Sequence, residues 1–123
     1  MAKKSGYGQF CPVAKAAEIV AERWTLLVLR ELILGSRRFN ELRRAIKGVS
    51  QHMLTMQLRD LEQHGIITRT VFAEVPPRVE YALTEHGETL KSVIRALAGW
   101  GHEHLKRKGQ RQPSPRARKI SAS

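Results

Sequence analysis

Residues 48–69 read 48-GVSQHMLTMQLRDLEQHGIITR-69, and one run holds a turn, a capped helix and a change of period. Gly48 can supply a turn, and Ser50 is a good helix N-cap because its hydroxyl can accept an orphan backbone N–H. Leu54, Leu58 and Leu61 are spaced i, i+4, i+7, so they define one apolar helical face over 51–64. Gly65 fits the left-handed residue that ends many helices. Beyond it the pattern turns extended, and 66-IITRTVF-72 is rich in β-branched residues.

Upstream, Phe39, Leu42 and Ile46 in 36-SRRFNELRRAIKGVS-50 recur at i, i+3, i+7 and predict a short amphipathic helix ended by Gly48. Two short helices joined by a three- or four-residue turn containing glycine are the helix-turn-helix pattern. Before it, 24-WTLLVLRELILG-35 is apolar on nearly all sides and predicts a buried central helix stopped by Gly35. A first helix begins at 11-CP-12, since proline suits the first helical position. Val13, Ala16, Ala17 and Val20 follow at helical spacing.

Downstream, Val79, Tyr81 and Leu83 alternate with Glu80 and Ala82, which predicts a returning strand. With 66–72 it forms a hairpin whose tip is 74-EVPPR-78. Thr84 is expected to cap one long helix carrying Leu90, Val93, Ile94, Leu97, Trp100 or Gly101, and Leu105 on its apolar side. The expected fold is mainly α with a small β-hairpin, an α+β winged helix-turn-helix. Its expected divisions are a loose arm over 1–10, a folded body over 11–107, and a disordered basic tail over 108–123. The tail carries Pro, Ser, Gln and basic residues and almost nothing to bury.

Composition narrows the function. A chain of 123 residues is most simply one domain, able to bury a core without disulfide or metal staples. Cys11 is its one cysteine, which excludes an internal disulfide framework and a multi-cysteine zinc site. No apolar run approaches about 18 residues, so no membrane span is expected. The start has charge but no apolar core, so a secretory signal is not expected either, and a cytoplasmic location is. Net charge is +11, and seven of the 22 basic residues fall between Lys106 and Ser123 with no acid among them. Such a balance points to phosphates, in nucleic acid or at a membrane surface. No nucleophile–base pair, paired carboxylates, phosphate-cradling loop or metal cluster is evident, so neither enzyme chemistry nor a cofactor is expected.

These residues together resemble a known family. The segments 11-CPV-13, Trp24 with LLVLREL, 38-RFNELRRAI-46, 48-GVSQHMLTMQLRDLE-62, 65-GIITR-69 and 75-VPPRVEYALTEHG-87 are similar to the HxlR-type winged-helix transcriptional regulators of bacteria. The resemblance runs from about Cys11 to Gly101. It departs before Trp24, where the chain reads AER and the family usually has glycine and lysine, and it omits the basic tail. The resemblance implies a homodimer on operator DNA. It fixes no effector and leaves repressor against activator open; repression is the expected direction.

Candidate contacts follow from the helix-turn-helix geometry. The N-terminal part of the second helix meets base edges in the major groove. Ser50, Gln51, His52, Thr55, Met56 and Arg59 stand at that end or on the face opposite the leucines. Gln51 can pair with adenine, Arg59 with guanine or a phosphate, and Thr55 or Met56 can pack on a thymine methyl. The alternative is a solvated face. Arg37, Arg38, Arg43 and Arg44 flank the first helix and are expected to neutralise phosphates; the alternative is solvation and pairing with Glu41. Arg30 is expected to pair with Glu31 or Glu62. Arg78 at the hairpin tip can enter a narrow minor groove, or else touch a phosphate or pair with Glu80.

Cys11, before a helix N-terminus, is placed for a reactive thiolate. The resemblance supports an oxidant or electrophile sensor there, while a small buried hydrophobe is the other reading. His102 and His104 lie on different helix faces and are poorly placed to share a metal. The first and last helices are expected to form the dimer contact, through Val13, Leu90, Ile94, Leu97, Trp100 and Leu105. Two-fold symmetry would then set half-sites roughly 34–36 Å apart on an inverted-repeat operator. The competing class is a winged-helix module for protein assembly or for nucleic acid without sequence preference, which the basic tail would serve.

Overall fold

A computed structural model describes residues 11–111. In chain order the elements are α1 (Pro12–Val20), α2 (Arg23–Ile33), β1 (Arg37–Arg38), α3 (Phe39–Ala45), α4 (Gln51–Gln63), β2 (Ile67–Phe72), β3 (Arg78–Leu83), α5 (Glu85–Glu88) and α6 (Lys91–Arg111). Helix, helix, turn, helix and wing follow in that order. The arm over 1–10 and most of the tail lie outside the described residues. The chain divides into two compact units at Lys91/Ser92.

Local chemistry explains the helix ends. Pro12 opens α1 beside Cys11, whose Sγ accepts the Ala14 N–H at 3.5 Å. Glu22 caps α2, accepting the N–H groups of Trp24 at 2.8 Å and Thr25 at 3.2 Å. That carboxylate lies within the AER segment, so the departure before Trp24 still closes the helix start, and Arg23 lies 4.8 Å above the Trp24 ring. The Ser50 hydroxyl accepts the Met53 N–H at 3.0 Å and caps α4. At the other end Gly65 has φ +74. Its turn lets the Ile66 N–H reach back to the Leu61 carbonyl at 2.9 Å and the Gly65 N–H to Glu62 at 3.0 Å, the paired bonds of a Schellman motif.

The core gathers Val28, Leu29 and Leu32 from α2, Leu42 from α3, Leu54, Leu58 and Leu61 from α4, and Ile66, Ile67 and Tyr81 from the sheet side. The leucine face of α4 is therefore the buried face that its spacing predicts. Each such side chain removed from water stabilises the fold by about 1.5–3 kcal/mol. Two polar side chains join them: Thr25 and Gln57.

Four expectations need correction. The sheet has three strands, in the order β1-β3-β2, all antiparallel. Arg37 and Arg38 form the short β1, with Arg37 opposite Tyr81 and Arg38 opposite Glu80. Two residues are too few for an alternating pattern to show. The helix capped by Thr84 is not the long one. Thr84 accepts the Gly87 N–H at 2.9 Å and caps the four-residue α5, which ends where Thr89 and Leu90 donate to His86 at 3.1 Å and Gly87 at 2.9 Å. Those tightened i, i+3 bonds break the helical run, and α6 starts afresh at Lys91. Gly87 sits at this corner because a β-carbon there would lie 2.1 Å from the Ile66 carbonyl oxygen. In addition, α6 continues to Arg111, into the segment read from 108 as tail. Finally, α2 buries one side only, since Arg23 and Arg30 are exposed and Trp24, Leu26 and Leu27 are half-buried.

Taken by itself, α6 exposes Val93, Leu97, Trp100 and Leu105. The Trp100 and His104 rings stack with centroids 5.0 Å apart. On α1, Val13 is 78% exposed although Val20 is buried.

Candidate nucleic-acid interface

The turn between α3 and α4 carries Gly48 at φ +89 and delivers Ser50 to the start of α4. From there Ser50, Gln51, His52, Met56 and Arg59 are exposed, and Thr55 is half-buried. With the leucines turned inward, the polar side of α4 is free along its N-terminal turns. Two groups are partly committed. The Ser50 hydroxyl accepts the cap bond, which leaves its own proton to donate. The Thr55 hydroxyl donates to the Gln51 carbonyl at 2.8 Å, so its methyl is the part left to pack on a base.

Arg38, Arg43 and Arg44 are exposed around α3, and Arg37 is half-buried with one guanidinium N–H donating to the Ser36 carbonyl at 2.9 Å. Glu41, the acid that could neutralise them, accepts the Arg38 backbone N–H at 2.8 Å and caps α3 instead. The ion pairs among the described residues join Lys15–Glu18, Arg30–Glu31, Arg78–Glu74, Arg78–Glu80, Lys91–Glu88 and Lys106–Glu103. None of these involves Arg37, Arg38, Arg43, Arg44 or Arg59. Arg30 does pair with Glu31, at 3.0 Å.

Arg69 is a further exposed cation that the sequence reading did not single out. It stands on β2 opposite Tyr81 and makes no ion pair among the described residues. A cleft of about 380 Å³ between α4 and the sheet is lined by Thr55, Leu58, Arg59, Glu62, Arg69 and Tyr81. The β-branched run 66-IITRTVF-72 marks a strand, but only the fold brings Arg69 on that strand beside α4.

The wing tip is arranged otherwise than a free arginine would require. The Arg78 guanidinium donates to Glu80 at 2.9 Å and to Glu74 at 2.9 Å, and lies 4.0 Å over the Phe72 ring. Its Nε is buried without a partner. The Val75–Pro76 peptide bond is cis. Of the roles open to Arg78, pairing with Glu80 is the one this geometry favours, with Glu74 added from across the tip. A second cleft, about 400 Å³, lies between the tip and α3 and is lined by Arg38, Phe39, Asn40 and residues 74–79.

Cys11 is half-buried, with its sulfur turned to the first turn of α1. Among the described residues no three His, Cys, Asp or Glu side chains gather as a metal site would need. No helix there is long and apolar enough to cross a membrane.

The family model described as HxlR-like helix-turn-helix matches residues 19–109. The chain is 45% identical over 97 residues to the uncharacterized HTH-type transcriptional regulator YdeP of Bacillus subtilis, covering 79% of this chain and 76% of that one. It is 44% identical over 98 residues to the uncharacterized HTH-type transcriptional regulator sll1512 of Synechocystis, covering 80% and 73%. Among solved structures, the redox regulator HypR in its oxidized form superposes with a TM-score of 0.73 at 42% identity, covering 76% of this chain and 96% of that one.

Proposed function

Because the chain belongs to the HxlR-like helix-turn-helix family of DNA-binding transcription regulators, we propose that it acts as a homodimeric repressor on an inverted-repeat operator. One observation carries the proposal: the polar side of α4 is exposed, and Arg37, Arg38, Arg43, Arg44 and Arg59 within the helix-turn-helix segment make no ion pair among the described residues. Each half of the dimer would place α4 in a major groove, with Gln51, His52, Thr55, Met56 and Arg59 at base edges and the α3 arginines on the backbone. The exposed Val93, Leu97, Trp100 and Leu105 on α6 and Val13 on α1 support the dimer contact, with Leu90 and Ile94 alongside. The site of action would be the cytoplasm.

The test is genome-wide footprinting with the purified protein. Protected sites sharing an inverted repeat, with half-site centres roughly 34–36 Å apart, support the reading. Protection spread evenly over the genome supports the alternative, a module that binds nucleic acid without sequence preference.

A redox input is the second part of the proposal. The Cys11 sulfur accepts the Ala14 N–H at the start of α1, and the similar protein HypR is described as a redox regulator. Peroxide would oxidise two Cys11 thiols, one per subunit, to a disulfide and be reduced to two waters. Mass spectrometry after peroxide or quinone treatment tests it; an unmodified Cys11 with unchanged operator affinity contradicts it.

A further inference from the structure

Two polar side chains are buried in the described core, and they meet. Thr25, in the first turn of α2, is 3% exposed, and Gln57, on the inward side of α4, is 9% exposed. The Thr25 hydroxyl donates to the Gln57 amide oxygen, and the Gln57 amide nitrogen donates to the Met53 sulfur at 3.7 Å within α4. Around them the core is Val, Leu, Ile and one Tyr.

We infer that Thr25 and Gln57 form a rotational pin that fixes the azimuth of α4, making them positioning residues for operator discrimination that touch no DNA. The inference rests on the reading of α4 as the recognition helix. Leucine packing is non-directional, so by itself it does not select one rotation of α4 about its own axis. Side chains reach about 5–6 Å from a helix axis. At that radius a rotation of about 20° about the helix axis would move the outer atoms of Gln51, Thr55 and Arg59 by about 2 Å. Hydrogen bonds to base edges hold only over a range of about half an ångström, so a helix free to turn that far cannot keep a bidentate contact. Phosphate contacts through long flexible cations survive the same motion. A directional bond between two buried groups selects one azimuth where apolar contacts select a range.

The position of the pin favours this role over simple stabilisation. Replacing both partners of a buried hydrogen bond by apolar groups of the same shape is nearly neutral for stability. Thr25 is also held from the other side, because its own N–H donates to the Glu22 cap at 3.2 Å. The pin thus ties α4 to the rigid start of α2 rather than to a mobile side chain.

The test compares T25V, Q57M, the T25V/Q57M double variant and T25S in the full chain. Each is measured against a footprint-derived operator and a random duplex of equal length at one salt concentration. T25V and Q57M are expected to lose about tenfold or more of the operator-over-random ratio with random-duplex affinity unchanged. The double variant should lose little more than either single, because both remove one interaction. T25S keeps the hydroxyl and should keep the wild-type ratio. A folded double variant with the wild-type ratio overturns the inference. Should the Gln57 variants not fold, equal ratios for T25V and T25S overturn it alone. A wild-type protein without operator preference fails the parent reading, and the inference with it.

Discussion

Arg78 and Glu74 close the wing tip through an ion pair of 2.9 Å, and Glu80 holds the same guanidinium from the returning strand. The stretch 74-EVPPR-78 thus folds its one cation inward, onto two acids and the Phe72 face. An arginine so held must leave both carboxylates before it can enter a minor groove.

Replacing Arg78 by alanine should consequently cost operator affinity less than about tenfold, since partly exposed ion pairs are individually worth about 0–1 kcal/mol. The loss should be the same beside A·T-rich and G·C-rich flanks. Binding titrations on operators with the two kinds of flank check this, and a loss confined to A·T-rich flanks would restore Arg78 as a groove reader.

Gln51→Ala should act differently. Gln51 is exposed at the first turn of α4, where a bidentate contact to adenine is worth about 1–3 kcal/mol of discrimination. Specificity should relax at one operator position per half-site, with random-duplex affinity unchanged. Selection of bound sequences from a randomised operator reads this directly.

Arg43→Ala, Arg44→Ala and Arg69→Ala should each weaken binding on every sequence. If each neutralises one phosphate, the slope of log affinity against log salt should fall by about 0.9 per substitution. Titrations across a salt series measure it. An unchanged slope for Arg69→Ala would leave that residue a solvated cation on the strand.

Stability predictions concern the framework. Leu58 is buried at 2% exposure between α4 and the core, so Leu58→Ala should cost about 2–5 kcal/mol. Gly65 turns at φ +74 with open space around a would-be β-carbon, so Gly65→Ala should cost about 1–2 kcal/mol from backbone conformation alone. Urea unfolding of both variants gives the two values.

Much of this was legible in the residues. The cap at Ser50, the leucine face of α4 and the stop at Gly65 are local signals, and each appears where its chemistry places it. What the sequence hid depends on distance along the chain. The strand pairing of Arg37 with Tyr81 needs the whole hairpin in place before it exists. The break between α5 and α6 follows the i, i+3 bonds of Thr89 and Leu90, beside a Gly87 packed on the Ile66 carbonyl, and no helical periodicity encodes either. Among site residues, the α4 face could be read from its period. Arg69 could not, because its position beside α4 is a tertiary fact, and the sequestering of Arg78 needed Glu74, Glu80 and Phe72 in three dimensions. The bond between Thr25 and Gln57 joins residues 32 apart and left no trace in either helix's pattern.

The exposed face of α4 is proposed to read sequence rather than charge alone. Competition binding at physiological salt tests it most directly, setting a footprint-derived operator against random duplex of the same length. The operator should be held at least about a thousandfold tighter. Equal affinity for the two would contradict it.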